Sequence, residues 1–335
     1  MSASVLSRVG VGLWTMRSMA LSPRNRIADY RALREDAILA ERLGFHSLWT
    51  AEHRIWYDGW CPAPLHAAAA AAAVTERLRF GTGVALATMH EPYAMARAVA
   101  DLDRLSRGRV DLGLGLGHRD AEFDALGLRR DRRGRRMDEA LDVYAAVWRG
   151  EHGDEPPVQR PGPPVWIGGM ARPAVERAAT RGHNLILPQT LFPHEIRALV
   201  DELRGRTPGV RTVGTLRDFW IEPDPRAAEA FRRRYARHFR EEAGSWWVLK
   251  GRPAFQAPEQ LARQMGRITD SALIGAPAEV AAGLRALLEA GADFLLLRIN
   301  FDMVEHAELR EQLHQAADTL PPLLADVVAP AEVVR

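Results

Sequence analysis

Eight short apolar runs, each followed by a stretch of helical spacing, constrain this chain more than any other feature. The runs are Arg8–Trp14, His46–Ala51, Leu78–Leu86, Arg109–Leu114, Pro164–Gly168, Asn184–Pro188, Arg211–Ile221 and Asp293–Ile299. Most are rich in Val, Leu and Ile with little polar alternation, the pattern of strands buried on both faces. Between and after them, Ile27–Leu43, Leu65–Arg77, Pro92–Ser106, Arg132–Trp148, Ala174–Arg181, Pro193–Arg206, Ala278–Ala290 and Val304–Leu324 place apolar residues at helical spacing. Eight strands alternating with eight helices predict an α/β fold, a (β/α)8 TIM barrel built as one domain over 1–335. Two segments exceed a simple βα unit. Residues 151–163 are rich in Pro and Gly and read as a loop. Residues 223–270 carry a charged helix, Arg226–Glu242, and Trp246–Trp247; insertions of this kind are expected at the carboxyl-end face, over the mouth of the barrel.

In such barrels the chemistry sits where strands end, so the turns after the runs are where to look. The second run ends in Glu52-His53. A histidine there can exchange a proton near neutral pH, and Glu52 either orients it or pairs with an arginine elsewhere. An ordinary surface turn reads the same way. Within the third run, Gly81-Thr82-Gly83-Val84 places glycine in a buried strand, which relieves crowding or brings backbone close to a ligand. The fourth ends in a glycine-rich stretch, Leu112 to Gly117, followed by His118 and Arg119. Its G-x-G-x-G spacing fails the dinucleotide-binding pattern, so a loop giving a ligand close backbone access fits better. His118 is either part of a site or a loop histidine bonded to backbone. After the fifth run, Gly168-Gly169-Met170-Ala171-Arg172-Pro173 is a glycine turn opening a helix. Free amides at a helix start bind phosphate well, although an ordinary βα turn has the same pattern. Trp14, Trp56, Tyr57 and Trp60 lie near the ends of the first two runs. They either wall an apolar pocket or pack loops.

Composition narrows the field. The 45 basic and 43 acidic residues leave a net charge of +2, which does not point to nucleic acid despite a pI near 9.0. Lys250 is the only lysine, and the arginines of 129–136 read as a solvated helix start. The lone Cys61 excludes an internal disulfide and is expected to be an idle thiol. No apolar run approaches the ~20 residues needed to span a bilayer, and no signal pattern opens the chain, so a cytoplasmic location is expected. Neither a metal-ligand set nor a Ser-His-Asp arrangement nor a Walker loop is evident.

The stretches LGFHSLWTAEH, LRFGTGVALATMHEP and LDRLSRGRVDLGLGLGHRDAEFDALG together resemble the bacterial luciferase-like monooxygenase family, flavin- or deazaflavin-dependent (β/α)8 barrels. The resemblance runs from about Val9 to about Ile299. It implies His53 as the active-site histidine, with Glu52 beside it, and a non-proline cis peptide at Gly83–Val84 under the flavin ring. It places Gly117 beneath the cofactor and makes Gly168, Gly169, Met170, Ala171 and Arg172 the phosphate site. This chain departs from the pattern at three points. Arg54 stands where many members carry a second histidine, a change expected to alter substrate charge preference. Leu116 stands where many flavin-binding members have an arginine that reaches the phosphate, with Arg119 the natural substitute. Ala171 replaces a frequent serine. Some deazaflavin-dependent relatives place an acidic catalytic residue where His118 stands.

Three functions are open at this level. In the first, reduced FMN from a separate flavin reductase meets O2 and one oxygen atom passes to a small organic substrate. In the second, a reduced deazaflavin coenzyme delivers hydride while His53 or His118 handles a proton. In the third, the barrel binds flavin without catalysis; that reading keeps the phosphate turn but has no use for His53. The resemblance also implies a homodimer formed through the helices Leu65–Arg77 and Pro92–Ser106.

Overall fold

The computed structural model describes residues 5–16, 26–54, 60–151, 153–206, 209–249 and 258–327. Its strands are β1 (Val9–Trp14), β2 (Ser47–Thr50), β3 (Arg79–Thr82), β4 (Ala85–Leu86), β5 (Val110–Gly115), β6 (Val165–Gly168), β7 (Asn184–Leu187), β8 (Val213–Ile221), β9 (Leu273–Gly275) and β10 (Phe294–Arg298). The helices are α1 (Arg26–Leu43), α2 (Pro64–Ala72), α3 (Pro92–Leu105), α4 (Asp120–Ala125), α5 (Arg133–Trp148), α6 (Arg172–Arg181), α7 (Pro193–Arg206), α8 (Pro225–Leu249), α9 (Pro258–Ser271), α10 (Pro277–Glu289) and α11 (His306–Leu324).

All strand pairings are parallel, in the order β10-β1-β2-β3-β5-β6-β7-β8, and β10 pairs back to β8. This last pairing closes an eight-stranded barrel, with β3 and β4 forming one strand interrupted at Gly83. Two of the helices are capped by side chains. Glu91 caps α3 by accepting from the amides of Tyr93 and Ala94, with Pro92 in the first turn. Glu305 and Glu308 form a reciprocal capping box at α11.

Inside the barrel, Trp49, Trp166, Phe294, Leu13, Leu296 and Ile186 fill the axis. Trp49 meets Trp166 edge-on, with ring centroids 5.7 Å apart at 85°. Gly81 exists for this packing: a Cβ there would lie inside the indole of Trp49. A second, larger apolar layer joins the outer faces of the strands to α1–α3, α5–α7, α10 and α11.

Strand β8 runs past the barrel. Its first half pairs with β7 and β10, and its last residues, Phe219–Ile221, pair with β9. The insertion α8–α9–β9 hangs from this extension around a core of its own, where Trp220 stacks on Phe231 at 4.2 Å. The short elements α4, α9 and β9 have no counterpart among the expected runs. Among the described residues no helix is long and apolar enough to cross a membrane.

Candidate active site

A cavity of about 530 Å³ opens at the carboxyl ends of the barrel strands. Leu13, Thr15, Gly83, Val84, Leu216, Trp60 and Met170 line it from the barrel, and His238, Phe239, Met265 and Ile268 from the insertion helices. Its size suits a small organic ligand, and its wall is mainly apolar.

His53 sits on this wall at the end of β2 and is buried. Its backbone amide donates to the Cys61 carbonyl (3.3 Å), and the Cys61 amide donates to the Thr15 carbonyl (2.6 Å), so the turn is tied to β1. The edge of Trp60 meets the imidazole at 4.6 Å, and His118 stands edge-on at 5.5 Å. The carboxylate that orients His53 is Glu122, on α4. It accepts from His53 Nδ1 at 3.1 Å and from the Arg54 amide at 2.7 Å, and Arg119 Nη1 lies 3.5 Å away. Glu122 is wholly buried. Surrounded by donors it accepts, which places a proton on His53 Nδ1.

Glu52 does a different job. It accepts from the Leu86 amide (2.7 Å), His90 Nε2 (3.0 Å) and Arg54 Nε (2.9 Å). Burial alone would raise its carboxyl pKa, but the bonds from His90, Leu86 and Arg54 outweigh burial and hold it below the usual carboxylate range. Glu52 therefore stays ionised and pins the β2 turn to β4; of the two expected roles it takes the pairing with an arginine, Arg54, and the carboxylate on His53 is Glu122. The Arg54 guanidinium is spent on Glu52 and His90 (3.1 Å) and is not on the cavity wall, so it presents no charge to a ligand there.

Other expected positions divide the same way. His53, Trp60, Gly83, Val84, Gly117, His118 and Met170 all border the cavity, and the Gly83–Val84 peptide is cis. Trp14 does not: strand alternation sends Leu13 and Thr15 inward, while Trp14 turns outward to donate its indole N–H to Asp36 on α1 (3.2 Å). Arg119 is buried beside Glu122 and donates to the Arg54 carbonyl (3.3 Å), which removes it from the phosphate role. Arg172 projects into solvent and pairs with Glu176 at 2.6 Å. Gly168, Gly169 and Ala171 stand behind Met170 at the start of α6, with Gly168 packed against Val84. Trp56 and Tyr57 lie outside the described residues, as do the side chains of Trp246 and Trp247. Burial pushes the Cys61 thiol up to about 11, as an idle thiol requires.

Sequence reasoning missed the far wall. Asp218 on β8 faces Arg298 on β10 across the closing register, taking Nε at 2.6 Å and Nη2 at 2.5 Å. Tyr235 of α8 donates its hydroxyl to the same carboxylate. Burial, then the Asp218 charge, raises the Tyr235 pKa well above its ordinary value, so the hydroxyl keeps its proton. The only advance signal was charge inside apolar runs, Arg217-Asp218 in one and Arg298 in the other.

Glycine backbone forms part of the cavity wall, the kind of surface a flat ring system lies against. The Gly83, Gly115 and Gly117 backbone borders the cavity closely: a Cβ on Gly115 would strike Val84, and one on Gly117 would fall 2.7 Å from Met89. The turn before α6 offers backbone amides next to the same opening, through Met170.

Residues 5–293 match the family model for luciferase-like monooxygenases. The oxygenase component of a flavin-dependent trigonelline monooxygenase from Acinetobacter baylyi is 29% identical over 178 residues, covering 48% of this chain and 49% of that protein. The chain spans about half the length of the first curated relatives it matches. A long-chain alkane monooxygenase superposes with a TM-score of 0.76 at 18% identity, covering 100% of this chain and 94% of that one. The oxygenating constituent of a 3,6-diketocamphane monooxygenase from Pseudomonas putida, solved with FMN, gives a TM-score of 0.74 at 16% identity, covering 96% and 100%. At these identities the structural likeness speaks for the fold alone, while the family match spans most of the chain. This protein belongs to the luciferase-like monooxygenase family, whose members use reduced FMN or a deazaflavin coenzyme.

Proposed function

We propose that the protein uses reduced FMN and O2 to oxygenate a small organic substrate in the cavity at the barrel mouth. The observation that carries this reading is His53, held by the buried carboxylate of Glu122 on the rim of an apolar cavity beside Gly83–Val84. When bound, the reduced flavin supplies the electrons that activate O2. The chain supplies the rest. Leu13, Val84, Leu216 and the insertion residues Phe239, Met265 and Ile268 exclude water. The amides of Met170 and Ala171 hold the phosphate, because neither Arg119 nor Leu116 can. His53 gives or takes a proton at Nε2, with Glu122 fixing its tautomer. Electrons arrive through a separate flavin reductase that docks transiently, and two copies of the chain pair through α2 and α3.

Leu116 favours a second reading, hydride transfer from a reduced deazaflavin coenzyme, because relatives that bind FMN often carry arginine there. Anaerobic titrations with reduced FMN and with reduced deazaflavin coenzyme, followed by mixing with O2, separate the two. Tighter binding of reduced FMN and oxygen-dependent turnover are expected. Tighter binding of the deazaflavin, with oxidation that needs no O2, replaces the first reading by the second.

A further inference from the structure

Two of the three charged groups on the cavity wall, Glu52 and Arg298, arrive paired with an opposite charge, while the third, Asp302, accepts from a neutral hydroxyl. Among the described residues the lining carboxylates and guanidinium are Glu52, Asp302 and Arg298. Glu52 is met by Arg54 at 2.9 Å and His90 at 3.0 Å. Arg298 is met by Asp218 through two parallel bonds of 2.6 and 2.5 Å, and its guanidinium lies 5.0 Å from the centre of the Phe239 ring and 5.7 Å from that of Phe301. Asp302 accepts from the Thr15 hydroxyl at 3.1 Å and has His238 Nε2 at 3.9 Å. The other polar lining groups on this side, Asn300, Gln189 and Thr190, are neutral.

We infer that the substrate is not an anion: it is a largely apolar molecule bearing a carbonyl, hydroxyl or similar neutral group that meets Arg298 and Asn300. The inference rests on the cavity being the oxygenation site and specifies what enters it. A carboxylate entering here sheds its hydration and meets Asp218 and Asp302 as well as Arg298, so the wall returns little of what desolvation costs. A neutral acceptor loses far less water and still finds an oriented, polarised guanidinium edge.

Equilibrium dialysis against a panel of one- and two-ring compounds, each in matched carboxylate and methyl-ketone forms, tests this on FMN-loaded protein. The ketones are expected to bind about tenfold or more tighter. Equal or tighter binding of the carboxylates overturns the inference, and so does a panel in which no ketone binds. In Asp218→Asn the compensation of Arg298 is lost, and the carboxylate-to-ketone ratio should rise by about tenfold. Asp302→Asn should move the ratio the same way if Asp218→Asn does not fold, and an unmoved ratio in a folded variant also overturns the inference. FMN affinity, titrated on the same samples, reports on the flavin reading independently of the probe ranking.

Discussion

Replacing Glu122 by Gln isolates what the buried carboxylate does for His53. The side chain keeps its size and one acceptor oxygen, and the Arg54 amide (2.7 Å) and His53 Nδ1 (3.1 Å) meet the same oxygen, Oε1, so the new NH2 takes the Oε2 position, 3.4 Å from Nδ1. Nδ1 keeps its acceptor, but the negative charge that steadies a protonated imidazole is gone. Acid–base groups contribute about 10²–10⁴ in rate, and a loss at the low end, about 10²-fold in kcat, is expected here, with FMN affinity changed by less than about threefold. Stability should fall as well. Glu122 is wholly buried and loses its ion pair with Arg119 at 3.5 Å, which is worth about 2 kcal/mol. Urea unfolding measures the second quantity, and oxygen-dependent turnover at saturating reduced FMN measures the first. Glu52→Gln is the control: it breaks the tie to Leu86, His90 and Arg54 but leaves the His53–Glu122 bond, so it should lower stability more than kcat. A Glu122→Gln enzyme with kcat within about fivefold of wild type refutes the reasoning, as does a Glu52→Gln enzyme that loses more activity than it.

His53→Ala should lower turnover by about 100-fold or more while the barrel stays folded, since a carboxyl-end turn adds little to the core; near-normal turnover would pass the role to His118. His183, just beyond α6, titrates near 4 rather than 6.5 because burial, then the charges of Arg181 and Arg211, disfavour its protonated form. The unfolded chain therefore takes up this proton first, and the fold loses about 2–3 kcal/mol as pH falls from 6.5 to 4. His183→Gln should flatten that part of the stability-against-pH curve in urea titrations, and an unchanged slope would show that another group is responsible. Gly81→Ala drives a methyl into the Trp49 indole and should cost about 3 kcal/mol, read by the same titrations; a neutral result would mean that the axis is looser than the packing implies. Arg172→Ala removes a solvent-exposed side chain paired with Glu176 and should weaken FMN by less than about threefold; a loss of about tenfold would return Arg172 to the phosphate site.

The barrel was legible because its causes are local. Strands buried on both faces read as continuous apolar runs, helices read by their period, and a glycine such as Gly81 or Gly83 inside a run marks a crowded backbone. His53 was legible too, since a histidine at the end of a strand run falls at the active face of any parallel barrel. The same continuity hid which way each side chain points. Nothing in VGVGLW separates Leu13, which lines the cavity, from Trp14, which faces α1, because both faces of that strand are apolar. The six-residue α4 is too brief to stand out by period, yet it delivers Glu122, and α9 lies in a segment read only as an insertion, yet it lines the cavity. The site's charge pairs were out of reach for a different reason. Glu122 lies 69 residues from His53, and Asp218 lies 80 from Arg298. Asp218 meets Arg298 only because the closing register of β8 against β10 sets them opposite, and Glu122 meets His53 because β2, β3 and β5 lie side by side. Residue types and their spacing determined that a parallel barrel would form and where its active face would lie. Which carboxylate orients the histidine, and which charges pair on the cavity wall, was decided by the packing of strands and loops into the barrel, which brings together residues that no local period connects.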